Sequence, residues 1–74
     1  MIVHTQHAEM KREQRDIDKE KVEETVHKPD NVEDTYAGRK AAYKEFGNLY
    51  LKVVFVEENE NTIVITQHWT DVVK

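Results

Sequence analysis

An α+β fold is predicted for this chain: two short N-terminal helices packed on one face of a mainly antiparallel sheet of three to five strands. Three observations predict it. Residues 49–69, LYLKVVFVEENENTIVITQHW, alternate with period two. Leu49, Leu51, Val53 and Phe55 share one parity, and Ile63, Ile65 and Trp69 recur on one parity of a second run, the pattern of a half-buried hairpin. Upstream of Pro29 the pattern changes to two short segments, each preceded by a helix-capping residue type. Finally, 74 residues without a cysteine allow one domain over residues 1–74 with a small core, because a chain near this size buries only about 60% of its unfolded surface.

Taken in order, Ile2–Thr5 is apolar enough for a short edge strand. The Thr5 hydroxyl can cap a helix over Gln6–Arg15 by accepting an orphan N–H of its first turn. Within that helix His7, Lys11 and Arg15 share a face, and Ala8 and Met10 are the only apolar residues. Asp18 marks a second N-cap, with Ile17 before it and Val22 four residues after it, the spacing of a hydrophobic staple. The following helix, Lys19–His27, turns Val22, Thr25 and Val26 inward and Glu20, Glu23 and Glu24 outward. His27 and Lys28 then lie where positive charge suits the helix dipole, and Pro29 stops the helix.

Asn31–Tyr36 and Arg39–Phe46 read as the next two strands, joined by a turn at Ala37-Gly38. Gly47-Asn48 is a tight hairpin connection with glycine first. It sets Phe46 opposite Leu49, Tyr43 opposite Lys52 and Glu45 opposite Tyr50. Across the last hairpin Val56 is expected to face Thr62, with the polar run Glu57–Asn61 between them. His68 would then lie opposite Tyr50, and Lys52 opposite Thr66. Asp71–Lys74 reads as a tail.

These registers give a core face of Ala42, Phe46, Leu49, Leu51, Val53, Phe55, Ile63, Ile65 and Trp69, with Lys40 and Lys44 snorkelling at an edge. The other face collects Arg39, Ala41, Tyr43, Glu45, Tyr50, Lys52, Val54, Val56, Val64, Thr66 and His68. Cations there suit phosphate, tyrosine rings suit unpaired bases, and a histidine can move protons near neutral pH. The plainer reading is a solvated polar face, which antiparallel sheets commonly carry, or a surface for another protein.

Several function classes are closed by residue type. With neither cysteine nor serine, disulfides, thiolate metal sites and Ser or Cys nucleophiles are excluded. His4 and His7 are three apart and no HExxH-type spacing occurs, so no metal and no cofactor is expected. Gly38 and Gly47 cannot make a Gly-rich phosphate loop. The acids Asp16, Asp18, Glu20, Glu23 and Glu24 read as a solvated helix face, since paired-carboxylate glycosidase chemistry needs a cleft. No apolar run approaches the roughly 20 residues that cross a membrane. The start MIVHTQH has no basic or apolar region of a signal peptide, so a cytoplasmic location without membrane partners is expected. The net charge of −4 argues against a surface that binds nucleic acid all over, but not against a local basic patch. A homodimer would supply stability that so small a core lacks.

The spacing His7-Ala8-x-x-Lys11-x-x-x-Arg15-x-Ile17, the helix closed by Pro29-Asp30, then Gly38-Arg39, Leu51-Lys52-Val53-Val54 and Val64-Ile65-Thr66 resembles a widespread prokaryotic family of small domains of unknown function. Its members show His-Ala-x-x-Arg-x-x-x-Arg-x-Ile near the start and a Val-Ile-Thr strand near the end. The resemblance spans about His7 to Trp69; Lys11 stands where Arg is usual, and Asp16 where Gly is common. That family is similar in layout to RelE/ParE-type toxins, helices followed by an antiparallel sheet whose open face, in RelE, cuts messenger RNA on the ribosome. The resemblance implies a toxin-type RNA endonuclease or a diverged relative, with RNA or the ribosome as substrate and an antitoxin protein as partner. It transfers no catalytic residues. The geometry of the second face supplies them: Lys52 and His68 as catalytic candidates, and Arg39, Tyr43 and Tyr50 as RNA-binding ones. The alternative is a non-enzymatic interaction module, one member of a toxin–antitoxin-like pair. It would bind its partner through the same face or by strand addition at a sheet edge.

Overall fold

In the computed structural model, which describes residues 1–71, the chain runs β1 (Ile2–His4), α1 (Gln6–Gln14), α2 (Lys19–His27), β2 (Asn31–Asp34), β3 (Lys40–Phe46), β4 (Leu49–Glu58) and β5 (Asn61–Thr70). Of the expected tail only Asp71 falls within the described residues. The five strands form one sheet in the order β1-β5-β4-β3-β2. β2 to β5 are an antiparallel meander, and β1 pairs with β5 in parallel. The α+β class is as expected. The order of helices first and sheet after is corrected: a strand precedes both helices, and its parallel pairing makes the sheet mixed, so a RelE-like layout does not follow from it.

The helices form for the local reasons their sequence gives. Thr5 Oγ1 accepts the Ala8 N–H at 3.1 Å and donates to the Val64 carbonyl at 2.9 Å, which ties the start of α1 to β5. At its other end the Ile17 N–H bonds the Arg12 carbonyl at 3.0 Å and the Asp16 N–H bonds that of Glu13 at 3.2 Å. This is a Schellman closure with Asp16 left-handed at φ +53°. Glycine fills such a position with least strain, a physical reason for glycine at that place in the resembling pattern. Asp18 caps α2 by position only, since its side chain makes no capping bond. Ile17 and Val22, the two ends of the staple, both enter the core.

That core joins Ala8, Ile17 and Val22 of the helical layer to Ala42, Leu51, Val53, Phe55 and Val64 of the sheet. Burying each of the larger side chains contributes roughly 1.5–3 kcal/mol. Phe46 and Trp69 meet edge to face at 6.1 Å, with the Lys21 ammonium 5.6 Å and 5.7 Å from the two ring centroids. Three expected core residues, Leu49, Ile63 and Ile65, are displaced, Ile65 because it is left unpaired on β5. Leu49 is 41% exposed, and Ile63 pairs with Val56 on the helix-free face while Val64 is fully buried in its place.

The first hairpin has the expected register, Phe46 opposite Leu49 and Tyr43 opposite Lys52, with Gly47 at φ +68°. The second does not. Its strands run on until Glu58 pairs with Asn61, leaving a two-residue loop in which Asn59 (φ +51°) and Glu60 (φ +67°) both take the positive φ of a type I′ turn. Val56 therefore faces Ile63, not Thr62. Farther along, Phe55 pairs with Val64 but Val54 pairs with Thr66, so Ile65 is looped out as a bulge. Beyond it Lys52 faces His68, and Tyr50 faces Thr70; the expected pairs His68–Tyr50 and Lys52–Thr66 are corrected accordingly. A bulge adds one residue to one strand, and the alternation pattern alone carries no mark of it.

Candidate nucleic-acid interface

The helices cover the face that carries Leu51, Val53 and Phe55, so the alternating residues Tyr50, Lys52 and Val54 project from the other. Strand register brings Tyr43, Lys52 and His68 into one row across β3, β4 and β5. Directly opposed residues in antiparallel strands have Cα atoms only about 4.5–5.5 Å apart, which puts the ammonium and the imidazole on the same patch.

The bulge decides that His68 belongs to this row. Continued from the turn without it, the register would pair Lys52 with Gln67 and send His68 into the core, since a shift of one residue exchanges the faces. With Ile65 looped out, Gln67 is fully buried instead. Its Nε2 donates to the Ala8 carbonyl at 2.9 Å, and Arg15 Nη1 donates to the Gln67 backbone carbonyl at 2.7 Å. The two ends of α1 thus hold β5 at the residue before His68. Gln67 Oε1 has no hydrogen-bond partner, a cost accepted for that clamp.

Burial first, then the charges of Lys52 and Arg15, push the His68 imidazole below its ordinary value of 6.5. The ring is neutral at pH 7 and able to accept a proton. Lys52 Nζ lies 5.7 Å from the Tyr43 ring centroid, and the Tyr43 hydroxyl donates to Glu33 Oε2 at 3.3 Å. With only 5% of Tyr43 exposed, this residue enters the site as the seat of Lys52, not as an open stacking surface. Tyr50 is half-buried at the end of the same face, between Glu45 and Thr70. Arg39 is exposed and lines a hollow of about 250 Å³ together with Thr35, Tyr36, Lys52, Val54 and Thr66.

Two residues of this region escaped the sequence reading of the face. Arg15 was visible in the His7–Ile17 spacing but could not be placed, because its contact is with a strand 52 residues away. Tyr36 lies in a turn, where no periodicity reports its surroundings. The charge pattern also needed the structure. Arg12, Lys40 and Lys44 are each paired with a glutamate, whereas among the described residues Arg15, Arg39 and Lys52 have no carboxylate partner.

A larger hollow of about 480 Å³ lies on the helical side, lined by Ile2, Val26 and Phe55 with Glu23 and Glu57 among its other residues. None of the candidate residues borders it. Among the described residues no group of three or more His, Asp or Glu could hold a metal ion, and no helix is long and apolar enough to cross a membrane.

Residues 4–66 match the family described as Domain of unknown function (DUF4258). The chain belongs to this family. The DUF4258 match takes in both helices, Arg15, Arg39, Tyr43, Lys52 and the bulge, and ends two residues before His68. It agrees with the expected family of small domains of unknown function and carries no link to RelE/ParE toxins. No curated protein and no solved structure matches the chain.

Proposed function

We propose that this domain binds and cleaves single-stranded RNA on its helix-free sheet face, as a toxin-type endonuclease of RelE-like kind. One observation carries the reading: in a chain of net charge −4, Lys52 stands directly opposite His68, Arg15 is bonded to the carbonyl of the residue before His68 and Arg39 lines the adjoining hollow with Lys52, none of the three having a carboxylate partner among the described residues. Lys52 and Arg39 hold the phosphodiester, and Arg15 adds positive potential from the end of α1. His68 takes the proton of a ribose 2′-hydroxyl. The 2′ oxygen then bonds to phosphorus as the bond to the 5′ oxygen breaks, and that oxygen leaves with a proton from water. The products are a 2′,3′-cyclic phosphate and a 5′-hydroxyl end. Lys52 stabilises the charge that builds on the phosphoryl oxygens in between, and Tyr50 offers a ring to a neighbouring base.

The test is cleavage of a labelled single-stranded RNA, paired with growth of a bacterial host under tight induction. Wild type is expected to yield cyclic-phosphate ends and to arrest growth. His68→Ala, which removes the general base, should lower cleavage about 10²–10⁴-fold, and Lys52→Ala should also abolish arrest, both with unchanged thermal melts. Folded wild-type protein that neither cleaves RNA nor slows growth overturns the proposal.

One observation favours a second reading, the non-enzymatic interaction module. β2 is a margin of the sheet, and its Val32 is 45% exposed, which offers a partner strand an open ladder with an apolar contact. On that reading Lys52→Ala is harmless and Val32→Lys abolishes partner binding.

A further inference from the structure

We infer that the hollow between Tyr36 and Arg39 is a subsite for one unpaired base of an RNA strand whose phosphate lies at Lys52. This rests on the RNA reading above and deepens it. Tyr36 is 83% exposed, yet the turn that carries it is well tied. The Thr35 N–H bonds the Arg39 carbonyl at 2.8 Å, the Arg39 N–H bonds the Tyr36 carbonyl at 3.3 Å, and the Thr35 hydroxyl also donates to the Arg39 carbonyl at 3.0 Å. The ring is therefore presented from a closed turn. A single exposed aromatic is ordinary; its company here is not. Arg39 and Lys52, both without carboxylate partners among the described residues, line the same hollow, with Val54 as an apolar surface, the Thr66 hydroxyl for the edge of a base, and the Thr35 hydroxyl, whose proton is given to the Arg39 carbonyl, as an acceptor only.

An acidic peptide would use the two cations but leave the aromatic wall and apolar patch idle. A base uses all three, through stacking on the ring and guanidinium and hydrogen bonds to its edge. Lys52 belongs to both the hollow and the row with His68, so the base and its own phosphate can be held side by side.

The experiment is fluorescence polarisation of an end-labelled oligouridylate at low salt, beside an oligomer of the same length carrying abasic positions. Tyr36→Ala is expected to weaken the oligouridylate about 5- to 150-fold, the loss of one stacked base. Tyr36→Phe, which keeps the ring, should bind like wild type. The abasic oligomer should bind wild type and Tyr36→Ala alike, and Lys52→Ala should weaken both oligomers. Thermal melts check that each variant is folded. If Tyr36→Ala binds oligouridylate as tightly as wild type while Lys52→Ala does not, the subsite is overturned and the RNA reading stands. If folded wild type binds neither oligomer, both fall together.

Discussion

At His68 three influences act in one direction: burial, then the charges of Lys52 and of Arg15, all disfavour the imidazolium. The sign of the consequence follows from linkage. Above pH 6.5 the ring is neutral in folded and unfolded chains alike, and its stabilising share is fully present. As pH falls below 6.5 the unfolded chain binds a proton that the folded chain still refuses, and stability is lost until the lowered folded value is passed. The unfolding free energy of wild type relative to His68→Gln should therefore fall between pH 7.5 and 5 (roughly the window of histidine titration), as measured by urea denaturation. An NMR titration should place the His68 midpoint below 6.5 and move it upward in Lys52→Ala, though not all the way, because burial remains. That His68 faces away from the core was legible from its parity with Thr66. Its neighbour was not, because parity survives a two-residue error in register.

At the scale of the element, β5 is where sequence reading and structure part. Its apolar residues Ile63, Val64 and Ile65 are consecutive, and consecutive β-branched residues fit either face of a strand. The choice falls to Val64 because Thr5 and β1 bind the chain there and α1 claims Gln67 three residues on. Between those two fixed points one residue is surplus, and Ile65 is looped out. Removing it by deletion should restore a continuous ladder in which Gln67 still pairs with Val53 and His68 with Lys52, so both residues keep their faces. The deletion variant should remain β-rich by circular dichroism, keep Gln67 clamped to the Ala8 carbonyl and retain RNA cleavage. The helices, by contrast, came out close to their predicted limits, since caps, staple and Pro29 are local signals that need no partner to act.

Across the whole molecule, charge is spread unevenly: Glu33 and Glu45 share the open face, beside Tyr43 and Tyr50, yet neither is paired with a cation there among the described residues. The acids Glu20, Glu23 and Glu24 ride on α2, with Lys44 bonded to that side, while among the described residues Arg15, Arg39 and Lys52 have no carboxylate partner. A protein acidic in sum can thus present a locally basic surface and steer a polyanion to it. The affinity for single-stranded RNA should fall with salt, with a log–log slope of about −0.7 for each phosphate neutralised and so about −2 for three cations. Lys52→Ala should reduce the slope by one such step, whereas Lys19→Ala on the helical side should leave it unchanged. Polarisation titrations across a salt series read both.

What the sequence determined by itself is everything that short-range chemistry can specify. Thr5 and Pro29 bound the helical region, Gly47 sets the first hairpin and its register, and period-two alternation fixes which residues of β4 are buried. Each of these depends on interactions within a few residues of chain. The tertiary structure decided the rest: the parallel docking of β1, the bulge at Ile65, the burial of Gln67, and so the meeting of Lys52 with His68. Those depend on contacts between segments some fifty to sixty residues apart, where the positions of β1 and α1 on β5, not the pattern within β5, select which side chains turn inward.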